Sequence, residues 1–93
     1  IGDRGLDTPV TDLDRDADGW ARVRLRSPAL GTLELAVDGS WPWLQVFTGD
    51  TLTPGQRRRS VAVEPMTCPP NALADHVDLV VLEPGADWSG TWT

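Results

Sequence analysis

A chain of 93 residues with 14 acids against 8 bases and a net charge of −6 fits one small domain or part of a larger one, and its sign is opposite to that of a typical nucleic-acid binder. Its longest purely aliphatic run, Leu-Val-Val-Leu at 79–82, falls far short of the ~20 residues that cross a membrane. A single cysteine, Cys68, and a single histidine, His76, exclude an internal disulfide and a four-ligand structural zinc site, which fits a reducing, cytoplasmic compartment.

The chain begins at Ile1 and passes at once into "GDRGLDTPVTD" (2–12), which reads as turns. This opening is expected of a piece cut from a longer polypeptide. The acidic run "DRDADG" (14–19) places Asp14, Asp16, Asp18 and Gly19 as a calcium-binding loop does. The twelfth position, however, is Leu25, where such a loop needs a bidentate glutamate. A solvated turn leading into a strand is the expectation there.

From residue 20 the period is two. "WARVRLR" (20–26) alternates Val23 and Leu25 against Arg22, Arg24 and Arg26. "TLELAVD" (32–38) sets Leu33, Leu35 and Val37 inward, with "SPALG" as the turn between the two. Further strands are predicted at 43–47 (WLQVF), 60–64 (SVAVE) and 77–83 (VDLVVLE), with a short sixth at 88–92 (WSGTW). No segment has a 3.6-residue apolar period, and nine glycines with eight prolines leave little room for helix. The fold class is therefore all-β, a sandwich or barrel.

The cluster Arg57, Arg58 and Arg59 has no glycine-rich nest or helix start beside it and reads as a solvated loop rather than a phosphate site. His76, alone between a loop and a strand, reads as structural or exposed. Five tryptophans, with Trp41 and Trp43 flanking Pro42, suit either packing or stacking against a sugar. Gln45 shares a strand face with Trp43 and Phe47, and such an amide either lines a pocket or bonds a neighbouring backbone. Glu64 is in phase with small Ala62 and opposite to Val61 and Val63. Pro65 is expected to end its strand and, with Pro69 and Pro70, to stiffen the loop beyond it.

"LQVFTGDTL", then "VAVEPMTCPPNA", then "DLVVLEPGADWSGTW" resemble, in that order, the C-terminal part of the aldose 1-epimerase (galactose mutarotase-like) family in its bacterial branch. "LDTPVTDLDRDADGWARVRL" fits the same branch. The resemblance covers nearly the whole chain. It implies that residues 1–93 are the C-terminal portion of a single antiparallel β-supersandwich domain, an isomerase of carbohydrate metabolism that interconverts α and β anomers of a free aldose.

By motif position the resemblance makes Glu64 the catalytic base and Gln45 a hydrogen-bond partner of the monosaccharide. It implies no cofactor and no metal. The catalytic histidines would lie in the N-terminal part, on the same polypeptide or on a separate chain, and His76 occupies no motif position. A non-catalytic carbohydrate-binding β-sandwich module with Trp41 or Trp43 as its platform is the alternative. For a fragment, the apolar strand faces are expected to be covered by a partner or left bare.

Overall fold

The computed structural model describes all 93 residues, Ile1–Thr93, as two antiparallel sheets and one helical turn. The strands are β1 (Asp7–Val10), β2 (Ala21–Ser27), β3 (Gly31–Val37), β4 (Trp43–Phe47) and β5 (Ala62–Met66), followed by α1 (Ala72–Asp75). β2 and β3 form a hairpin in the register Ala21↔Val37 to Ser27↔Gly31. The other three make a sheet of order β1-β4-β5.

The two sheets meet through one face each. On β4 the alternation sends Leu44 and Val46 inward with Val63 of β5, whereas Trp43, Gln45 and Phe47 point to the other side. Leu44 is 1% exposed and packs with Ala21 and Val37 at the base of the hairpin, with Leu13, Val23, Leu35, Trp41 and Val63 around them. Burial decays along the hairpin. Val23 and Leu35 are half-buried, but Leu25 is 40% and Leu33 72% exposed near the tip. The apolar stripe is thus longer than the sheet that covers it. The radius of gyration, 15.4 Å, exceeds the ~12 Å of a compact chain of this length.

Four sequence expectations need correction. Residues 7–10 are a strand, although the opening stretch reads as turns. Thr48 N–H donates to Leu6 O at 2.9 Å, so in the β1–β4 register the residues at 6, 8 and 10 carry the ladder bonds. Pro9 falls between them, at a position whose missing N–H faces away from β4. Pro65, likewise, does not end β5, which runs on to Met66. Pro65 opposes Leu44, whose ladder bonds are made to β1, so the donor it lacks also lies on the outer edge.

The third correction concerns 77–83, where no strand forms. Val77 and Asp78 make a turn, and none of β1 to β5 lies alongside the rest. Apolar content signals burial, whereas a strand also needs a ladder partner. Finally, the strand expected at 88–92 reduces to a bridge between Trp92 and Val37, in which Ala36 and Thr93 exchange both backbone bonds at 2.9 Å.

Side chains close the remaining loops. The Arg15 guanidinium donates to the carbonyls of Gly19, Val37, Asp38 and Trp41. Asp16 and Asp18 pair with Arg22, and Asp18 also accepts from Trp20 N–H, so the acidic run is the turn its sequence suggests. Arg58 of the arginine cluster clips Asp50 at 2.7 Å and the carbonyls of Gly2 and Arg4. Trp41 packs edge-on against Trp88, with ring centroids 4.8 Å apart.

Asp38 anchors the C-terminal bridge by accepting from Ser40 N–H at 2.9 Å and Thr91 N–H at 2.7 Å. The Ser40 donor chiefly holds its carboxyl below the usual aspartate range, against an opposing effect of burial and with Thr91 N–H adding to it. The Thr48 hydroxyl and then Arg58 do the same for Asp50. A carboxyl depressed on folding gives its stability in full above its unfolded pKa of about 3.9 and loses it as pH falls through the lower folded value. The thermal midpoint is therefore expected to be flat from pH 7 to 5 and to drop below about pH 4, with a shallower drop in Asp38→Asn. Circular dichroism melts across that range check this.

Candidate functional site

The outer face of the three-stranded sheet carries the sequence-predicted residues. Gln45 and Glu64 are directly opposed across β4 and β5, with Phe47↔Ala62 on one side and Trp43↔Met66 on the other. Because β4 bonds to β1 through its even-numbered residues, its odd-numbered ones bond to β5. Gln45↔Glu64 is then a hydrogen-bonded pair, with Cα atoms about 5.5 Å apart and side chains standing in parallel. The alternation that puts Val63 in the core is what puts Glu64 outside it.

Asp7 of β1 joins the row. Its Oδ1 accepts a hydrogen bond from Gln45 Nε2 at 2.6 Å, reaching diagonally across the β1–β4 pair. This contact orients the amide, since the nitrogen faces Asp7 and the oxygen is directed elsewhere. Gln45 Oε1 is buried and has no hydrogen-bond partner within the chain. Sequence reasoning missed Asp7 because the stretch around Pro9 reads as turns. The signal available was the alternation of Thr8 and Val10 with Asp7 and Pro9.

At the other end of the row, Trp43 Nε1 donates to Asp78 Oδ2 at 2.9 Å. This bond ties the loop after α1 to the same face. His76 caps that helical turn with positive φ, 58°, and is exposed. Its side chain makes no hydrogen bond to the row.

The Glu64 side chain is exposed and makes no hydrogen bond or ion pair within the chain. The two concavities lie elsewhere. The larger, about 340 Å³, opens between the hairpin and β5 and is walled mainly by Leu25, Leu33, Leu35, Val61, Val63 and Trp92. The smaller lies at the hairpin tip. Within this chain no cavity covers the Asp7–Gln45–Glu64 row: the Glu64 carboxylate is exposed and the Gln45 carbonyl oxygen is buried beside it, with Trp43 and Phe47 as flanks.

No family model and no solved structure matches the chain. Among curated proteins it is similar to one from Escherichia coli (strain K12), named "Uncharacterized protein YihR", with 49% identity over 43 residues. The aligned stretch is 46% of this chain and 13% of that protein. The aligned residues are thus less than half of this chain and a small part of a longer relative.

Proposed function

We propose that this chain is the base-bearing wall of an aldose 1-epimerase-like isomerase acting on a free monosaccharide. The observation that carries the reading is the direct opposition of Glu64 and Gln45, with the Gln45 amide held by Asp7. The ordered motifs of the sequence resemblance fall on the same two residues.

Anomer exchange needs a base to take the proton from the C1 hydroxyl and an acid to protonate the ring oxygen O5. The C1–C2 bond then rotates, and the ring closes on the other face. A carboxylate with no internal partner has its lone pairs free for the C1 hydroxyl. Trp43 and Phe47 offer apolar edges to the ring. The acid and the opposite wall of the cleft would come from outside these residues.

Polarimetry of freshly dissolved α-D-glucose or α-D-galactose tests the division of labour. The 93 residues alone are expected to leave the buffer rate unchanged. The chain joined to the region that supplies the acid is expected to accelerate equilibration. Rapid equilibration by the isolated chain, or none by the joined protein, would overturn the proposal.

A further inference from the structure

We infer that Arg58 is a positioning residue: through Asp50 and Thr48 it locks the register of β1 on β4, and with it the Asp7 carboxylate that orients the Gln45 amide. The lock stands on geometry alone. Its consequence for a sugar rests on the function proposed above.

β1 needs a lock because apolar packing does not fix it. All four of its residues, Asp7–Val10, are exposed. A strand with no buried face has a weakly specified register, and a slip of one residue turns every side chain to the other side. Asp7 would then leave the face that carries Gln45. Beyond the far end of the strand only one side-chain bond follows, from the Thr11 hydroxyl to Pro42 O at 3.1 Å.

The near end is held much more closely. Thr48 is 2% exposed and takes both polar backbone groups of Leu6: Leu6 N–H donates to its Oγ1 at 2.8 Å, and Thr48 N–H donates to Leu6 O at 2.9 Å. The Thr48 hydroxyl is also bonded to Asp50, whose carboxylate lies flat against Gly5. A Cβ at position 5 would stand 3.1 Å from Asp50 Cγ, so the close approach depends on glycine there. Arg58 completes the clip. Its Nη1 donates to Asp50 Oδ1 at 2.7 Å and to Arg4 O at 3.2 Å, and its Nη2 donates to Gly2 O. Residues 2, 4, 5 and 6 are thereby fixed against the end of β4, and Asp7 is the next residue.

The backbone of Arg58 supports the same reading. It sits at φ 55°, a left-handed conformation that a long side chain rarely adopts. Strain of this kind persists where the surrounding contacts over-determine it. Its neighbours in the arginine cluster take no part. Arg59 reaches only Gly55 O, at 3.4 Å, and Arg57 makes no side-chain hydrogen bond.

NMR on the chain tests the lock. The non-hydrogen-bonded pairs Asp7↔Phe47 and Pro9↔Gln45 bring their Hα atoms together and so report the β1 register, and Val46↔Val63 reports β4 on β5. In Arg58→Ala the first two contacts are expected to be lost and the third to remain, with the Gln45 side-chain amide signals moving toward those of a free amide. Retention of both β1 contacts overturns the inference. If Arg58→Ala does not fold, Arg58→Lys decides by the same contacts, because it keeps a charge for Asp50 and has one nitrogen where Arg58 uses two.

Polarimetry on the protein that carries both walls of the cleft tests the consequence. Arg58→Ala is expected to raise KM for galactose about tenfold with kcat within about threefold. In an Asp7→Ala background it is expected to add less than about twofold, because a residue that acts through Asp7 has nothing left to position. An equal loss in both backgrounds marks general destabilisation and overturns the positioning role. Absence of turnover in the unsubstituted protein removes the sugar reading instead, and the NMR contacts still decide the lock.

Discussion

On the proposed reading, Glu64→Gln in the protein that carries both walls of the cleft is expected to lower the rate of anomer exchange by roughly 10²–10⁴-fold while sugar affinity stays within a few-fold. The substitution keeps the shape and the hydrogen-bonding reach of the side chain and removes its ability to take a proton. Glu64 is exposed and has no ion-pair or hydrogen-bond partner in the chain, so nothing in the fold is left unpaired by the change. The effect should fall on kcat and not on KM.

The binding-module alternative shares the retained affinity at position 64 and differs in turnover. It has no turnover to lose, and its affinity survives at position 64 but fails in Trp43→Ala. Of the two candidate platforms, Trp41 is engaged edge-on by Trp88, whereas Trp43 lies on the Gln45–Glu64 face. Polarimetry for turnover and tryptophan fluorescence for binding, on both variants, separate the readings. A loss of less than tenfold in kcat for Glu64→Gln would remove the base from position 64.

Leu44→Ala is expected to destabilise the chain by about 2–5 kcal/mol. Leu44 is one of the two large side chains that are almost wholly buried, and it joins the two sheets. Its truncation leaves a void against Ala21 and Val37 that their short side chains cannot refill. Small domains have total stabilities of only about 5–15 kcal/mol, so the variant should lose a large fraction of its folded population. Leu33→Ala is the internal control. At 72% exposure it should change stability by no more than about 0.5 kcal/mol. Urea unfolding followed by circular dichroism compares the two, and equal effects would mean that the core lies elsewhere.

Legibility from sequence depended on the kind of information each element needs. β4 is found where its alternation places it, and the hairpin within one residue, because a short turn joins its strands and fixes their register. The all-β class comes from the same pattern. The opposition of Gln45 and Glu64 is different. Each residue could be singled out, but their pairing depends on a register set across the intervening loop, and no local period encodes it. Asp7 was hidden by Pro9, which suggests a turn until the outward direction of its missing donor is known. The stretch at 77–83 misled in the other direction, since its composition reports burial and says nothing of what provides it.

The two prolines have a consequence for self-association. β1 and β5 are the outer strands of the three-stranded sheet, and each lacks an outward donor near its middle, at Pro9 and Pro65. A stray chain cannot extend a continuous cross-β ladder from either side, so both edges are guarded against amyloid-like stacking. The Leu-Val-Val-Leu stretch contains no such gatekeeper. If these molecules aggregate, the growth should start there, and a proline placed within that stretch should slow it.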